Sequence, residues 1–264
     1  MRVLLTTSTF LYISAAFLNA QTAAYRAPRL AGHPDLNGIW EAVNTANWNL
    51  QDHPASPGPL WETGAIGSVP PGRTVIEGGG PIPYKPEALA KQKANFASRR
   101  TEDPEAKCYM PGIPRANYMP YPFQIVETPK DILFVYEFAS SNRLINMGKP
   151  QEAGSDTWMG TNNGRWEGET LVIDVTGLNG LAWLDRNGDF LSDKAHVVER
   201  FTRTSRDTMS YTAIIEDPSL FTKTWTISMP LYRHVEKDAQ LLEFKCTEFA
   251  EELLYGKYRK GGEK

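Results

Sequence analysis

This chain has no long apolar run, no basic tract and almost no cysteine, and each shortage removes a class of function. Its 28 lysines and arginines face 31 acidic residues and never gather into a stretch able to track a phosphate backbone, so nucleic acid is not an expected partner. The tail at 257–264 is basic but short, which reads as a solvated, frayed end. His33, His53, His196 and His234 are too few and too scattered for a multi-histidine metal centre. Missing too are the Gly-X-Ser-X-Gly elbow, the Gly-X4-Gly-Lys phosphate loop and the His-Glu-X2-His zinc helix. Cys108 and Cys246 have no Cys or His at ligand spacing, so neither a metal nor a cofactor is expected.

The longest apolar stretch, residues 3–18, is diluted by Thr and Ser and is too short to span a bilayer. It follows Met1-Arg2 and precedes Leu18-Asn19-Ala20, a small-residue cleavage site, so residues 1–20 read as an export signal. A secreted or periplasmic location follows. In that setting Cys108 and Cys246 are expected to bridge, with two unrelated thiols as the alternative.

Residues 21–264 are expected to form a single, mainly β domain. Of 19 prolines, 13 fall between Pro54 and Pro122, around Gly78-Gly79-Gly80. Proline cannot donate to a strand ladder, so 44–122 reads as an excursion that wraps or lids the body. One helix is expected inside it near 86–99, with Pro86 and Glu87 in the first turn, Arg99 and Arg100 in the last, and Leu89 and Phe96 facing the core. Strands are expected at 38–43, 123–128, 132–138, 143–147, 165–166, 170–176, 196–204, 209–216, 225–229 and 241–248. Asn162-Asn163-Gly164 and Gly168-Glu169 are read as turns, and 250–255 as a short terminal helix. Met209, Tyr211, Ala213 and Ile215 alternate with Ser210, Thr212 and Glu216 as a strand requires, while Ile214 interrupts the polar face and points to cover on both sides. Short links between so many strands predict an antiparallel barrel or a strongly curved sandwich.

Gly38-Ile39-Trp40 resembles the Gly-X-Trp that opens the first strand of lipocalins and related calycin barrels. The resemblance implies a glycine that permits close backbone approach and a tryptophan that plugs the closed end. The excursion after this strand is longer than an ordinary lipocalin carries. More of the chain is similar to a group of exported bacterial proteins without an assigned function. The similarity rests on Pro34-Asp35-Leu36-Asn37-Gly38-Ile39-Trp40, Cys108-Tyr109-Met110-Pro111-Gly112-Ile113-Pro114-Arg115, Gly164-Arg165-Trp166-Glu167-Gly168-Glu169-Thr170-Leu171-Val172-Ile173-Asp174, His196-Val197-Val198-Glu199-Arg200-Phe201 and Ile215-Glu216-Asp217-Pro218. In that group a histidine often follows the loop glycine matching Gly188, where this chain has Phe190-Leu191.

Candidate chemistry starts at His196, a natural proton-transfer group near neutral pH, with Asp185 as its orienter and Arg143 or Arg200 as anion stabiliser. Strand period puts His196 and Arg200 on one face and Glu199 on the other. Asp174 and Glu137 sit in apolar strands and call for a cationic partner, Arg143 or Arg200. Asp185, Asn187, Asp189 and Asp193 have the alternating oxygens of a calcium loop, but Phe190 and His196 occupy positions that need Gly and Glu, so a turn is the better reading. Trp40, Tyr136, Trp158, Trp166, Trp183 and Tyr211 supply aromatic surface for a ligand. The leading expectation is a small, largely apolar organic ligand held in the barrel. The alternative is a cofactor-independent acid–base enzyme, a lyase, isomerase, cyclase or hydrolase, using the same cavity. An envelope interaction protein with an aromatic docking surface is the third reading.

Overall fold

The computed structural model describes residues 25–57 and 68–258; the expected export signal lies outside them. A small hairpin, β1 (Arg29–Leu30) and β2 (His33–Pro34), leads into β3 (Gly38–Glu41). Helix α1 (Pro86–Glu102) lies within the excursion. After it come β4 (Phe123–Glu127), β5 (Ile132–Tyr136), β6 (Asn142–Ile145), β7 (Thr161–Glu167), β8 (Thr170–Thr176), β9 (His196–Arg203), β10 (Thr208–Glu216) and β11 (Trp225–Arg233), and α2 (Ala250–Tyr255) ends the described chain's regular structure. Strands β3 to β11 form one nine-stranded antiparallel sheet in the order β6-β5-β4-β3-β11-β10-β9-β8-β7. Alternation explains the wall: in β9 and β10 every second residue is buried, with Val197, Glu199, Phe201 and Arg203 facing Met209, Tyr211, Ala213 and Ile215.

The two sheet edges meet just past β6. Asn146 N–H donates to the Asn162 carbonyl at 2.9 Å, and the Asn146 carbonyl accepts from Gly164 N–H at 2.8 Å, so the sheet is a nearly closed barrel. A Cβ on residue 164 would lie 2.4 Å from Ile145 and 2.5 Å from Met147, so only glycine lets these edges approach. Asn162-Asn163-Gly164, expected as a turn, is therefore part of β7. Its asparagines bond across the seam, Asn163 Oδ1 accepting from Asn146 Nδ2 and Gln151 N–H, both at 2.8 Å.

Three other expectations change. The excursion is part of the wall as well as a cover: β3 reaches β11 only at Tyr232 and Arg233, and residues 75–77 take over the rest of that edge. Ser228 N–H donates to the Val75 carbonyl at 2.8 Å and Glu77 N–H to the Thr226 carbonyl at 2.9 Å. Helix α1 runs as foreseen, but buries Ala88 and Gln92, leaving Leu89 and Phe96 40% and 43% exposed. It docks by backbone proximity, for Gln92 Nε2 donates to the Asn187 carbonyl at 2.6 Å and Asn95 Nδ2 to the Gly188 carbonyl at 3.0 Å. Residues 241–247 are irregular where a last strand was expected. Their anchors lie off the sheet: Phe244 packs on Tyr121 and Phe138, Leu242 N–H donates to Glu137 at 2.8 Å, and Cys246 is bridged to Cys108. No helix among the described residues is long and apolar enough to cross a membrane.

Candidate functional site

The barrel interior is filled by its own side chains. At one end Trp40 is fully buried, donates through Nε1 to the Leu36 carbonyl at 3.0 Å, and carries the Arg203 guanidinium 5.3 Å above its ring. Gly38, at φ +152°, makes room, since a Cβ there would lie 2.9 Å from Arg233 Nε. Trp40, expected among the ligand-facing aromatics, thus has no exposed surface to offer a ligand. Above it Phe123, Phe134, Phe201 and Tyr211 pack in one tilted and stacked cluster.

Across the middle of this apolar lumen runs a buried polar network. Arg143 on β6 pairs with Glu199 on β9 at 2.6 Å, with side-chain exposures of 1% and 0%. Tyr211 donates to Glu199 at 2.7 Å, Asn117 Nδ2 to the same carboxylate at 2.5 Å, and Tyr136 to Asn117 Oδ1 at 2.9 Å. Burial would lower the Arg143 pKa, but the Glu199 charge and hydrogen bond together with Tyr136 and Tyr211 outweigh it and hold the guanidinium protonated. Burial, then Glu199, pushes the Tyr211 phenol well up, so it stays protonated, donating to Glu199 and accepting from Asn117 Nδ2 at 3.1 Å. Among the described residues Arg143 Nε and Nη2 have no hydrogen-bond partner, the Arg143 guanidinium lying 4.8 Å from the Phe134 ring centre instead.

Asn117 enters from the proline-rich excursion, which serves as a stopper for the other end. Ile113, Ala116, Asn117, Tyr118 and Met119 are all buried. Arg115 anchors them, pairing with Asp103 at 2.9 Å and Glu105 at 2.6 Å and donating to Asn47 at 2.8 Å. Burial raises the Glu105 pKa, yet Arg186 and Arg115 overcome it and hold this carboxyl at about 2.

His196 and Arg200 stand on the outer wall, 38% and 36% exposed, as the strand period required of residues opposite Glu199. Asp185 is not the orienter of His196. That contact goes to Asp174 at 3.2 Å, with Glu216 at 3.8 Å, because Asp174 lies outward on the neighbouring strand. Asp174 also pairs with Arg165, and Arg200 with Glu167 at 2.9 Å. The expected set of His196, Asp185, Arg143 and Arg200 is therefore not assembled: the barrel wall separates Arg143 from His196 and Arg200. Trp166 stacks on His33 at 5.0 Å, whereas Trp158 and Trp183 line a void of about 10 Å³, the space of a single water.

Asp185 caps a turn, its Oδ1 accepting from Asn187 N–H at 3.0 Å and Asp189 N–H at 3.1 Å, and its Oδ2 from Leu50 N–H at 2.9 Å. This is the turn expected from the calcium-like spacing. Burial, then the Asp189 charge, raises the Asp185 pKa well above its ordinary value, and burial raises that of Asp189. A carboxyl whose folded pKa is raised contributes stability that is full below its unfolded pKa of about 3.9 and is lost as pH climbs through the folded value. Asp185→Asn cannot titrate. Its stability deficit relative to the parent chain, measured by urea unfolding, is expected to shrink as pH rises from about 4. A deficit that stays constant or widens would contradict this.

Outside the barrel, α1 and the loops at 179–180, 190–193 and 219–220 border an open cleft of about 410 Å³. Phe190, Leu191, Leu220 and Ala88 form its apolar surface, with Glu87, Lys91, Ser192, Asp193 and Ser219 around them. Gly180, at φ +67°, holds two of the loops together, for a Cβ there would lie 2.7 Å from Asp193 N. None of the residues expected to be catalytic or ligand-binding lines this cleft; Glu87, Phe190, Leu191 and Asp193, which do, were named from sequence only for helix start and turn. A helix face and three loops build it, and no local pattern links them. Glu199 and Asn117 were also missed, although Glu199 had a signal: a lone carboxylate alternating with Val197 and Phe201. Searches with this chain match no family model, no curated protein and no solved structure.

Proposed function

We propose that this protein binds a small organic molecule outside the cytoplasm, in the cleft beside α1 and not in the barrel lumen. The cleft carries the reading: its volume of about 410 Å³ falls in the range of small-molecule sites, and a few polar groups surround an apolar floor. Export, the bridge and the lipocalin-like opening of the barrel belong to the same reading. The barrel acts as a rigid frame, and its packed interior leaves ligand contact to the loops.

Gly188→Val tests it. Gly188 has φ +83°, and a Cβ there would lie 2.7 Å from Phe96 N and 3.0 Å from the Gln92 carbonyl, so the variant displaces α1. In ligand-observed NMR against a panel of small acids, alcohols and amines, the parent chain is expected to give hits that Gly188→Val loses. Far-UV circular dichroism of the barrel is expected to persist. Hits that survive the variant and shift Tyr136, Tyr211 or Arg143 resonances would return the site to the lumen.

A further inference from the structure

Resting on that reading, we infer that the cleft is built for a zwitterion: a small molecule with an ammonium and a carboxylate separated by an apolar spacer. At one end, Lys91 Nζ lies 4.4 Å above the Phe190 ring and has no ion-pair partner among the described residues. The ammonium is fixed over an aromatic face instead of neutralised, which leaves its charge to an incoming anion.

The other end has the opposite character. Asp217, fully buried, accepts from the hydroxyls of Ser192 at 2.8 Å and Ser219 at 2.6 Å, and from the backbone N–H of each at 2.9 and 3.1 Å. A carboxylate is the stronger acceptor, so it takes both hydroxyl protons. The two serine oxygens, 2.9 Å apart, then present only lone pairs to each other. Lys194 N–H occupies one of these on Ser192 at 3.1 Å. The rest suit a donor from outside, and an ammonium supplies three. Glu87 adds negative charge at the same end. Lys85 N–H donates to the Leu220 carbonyl at 2.8 Å, which sets the first turn of α1 beside 219–220, with Lys91 one turn further along. Asp193, half exposed, is paired with Lys194 at 3.5 Å, which leaves Glu87 and Asp217 as the acidic groups of this end. Leu191, Leu220 and Phe190 give the same cleft its apolar surface.

Calorimetric titration with 6-aminohexanoate, hexanoate and hexylamine tests the charge pattern. The zwitterion is expected to bind about tenfold or more tightly than either singly charged compound. Lys91→Met is expected to make it bind no better than hexylamine, and Glu87→Gln to narrow its lead over hexanoate. Both positions are solvent-exposed, so folding is preserved. Equal affinities for the three compounds, with shifts mapped to Phe190 and Leu220, would overturn the zwitterion and keep the cleft. No shift at the cleft with any compound would overturn both.

Discussion

Glu199→Ala is expected to cost about 3–5 kcal/mol of folding stability. Arg143 and Glu199 meet at 2.6 Å with essentially no solvent exposure, and Arg143 Nη1 also donates to Asn162 Oδ1 at 3.0 Å. Removing the carboxylate leaves a buried guanidinium whose Nε and Nη2 already lack partners. Tyr211 and Asn117 lose their acceptor in the same step. For a chain of this size the Tm is expected to fall by about 6–20 °C. The pair itself is not the source of stability, because desolvating two charges offsets most of their attraction. Combining Glu199→Leu with Arg143→Met is therefore expected to recover most of the loss, with urea unfolding of the four chains closing a double-mutant cycle. A double variant as unstable as Glu199→Ala would show that the network holds the stopper at Asn117 in place and does more than neutralise a charge.

Breaking the Cys108–Cys246 bridge is expected to have an effect of similar size. The two residues are separated by 138 positions, and the chain between them includes β4 to β11. Closing such a loop removes about 5 kcal/mol of denatured-state entropy in the chain-entropy model. The Cys108→Ser/Cys246→Ser chain is expected to unfold at lower urea with a larger m-value, since its denatured state is more expanded. A native-state effect is expected beside it. Residues 241–247 form no strand, and their other anchors are the Phe244 contacts and the bonds of Leu242 N–H to Glu137 and Phe249 N–H to the Ala106 carbonyl. Backbone amides of this segment should exchange faster in the double-serine chain while those of β8 to β10 keep their protection. An unchanged urea midpoint would mean that the segment stays docked without its bridge and that the denatured state is compact.

Most of the barrel could be read along the chain because its strands alternate. The expected bounds at 170–176 match β8, and Met209, Tyr211, Ala213 and Ile215 face inward as their spacing required. The same rule failed where backbone pairing is set from a distance. Asn162-Asn163-Gly164 has turn composition, yet these residues close the seam because Asn146 lies opposite them. Residues 241–247 alternate well enough, but no free edge was left to receive them. Leu89 and Phe96 point outward because a helix that docks through Gly188 needs its smallest face inward, and Ala88 supplies it.

By itself the sequence determined the class of fold, the position of α1 and the placing of His196 and Arg200 on the face opposite Glu199, though not which of those faces looks into the barrel. Each follows from a period of two or from local backbone preference, which neighbouring residues carry among themselves. Only the tertiary structure decided that Glu199 meets Arg143 across the lumen and that Asn117 comes from a proline-rich segment to join them. It also brought Lys91, Ser192 and Ser219 to one cleft. Those encounters join residues far apart in the chain. They depend on how the sheet curves shut and on which loops then have room to settle, and neither is written in any short stretch of residues.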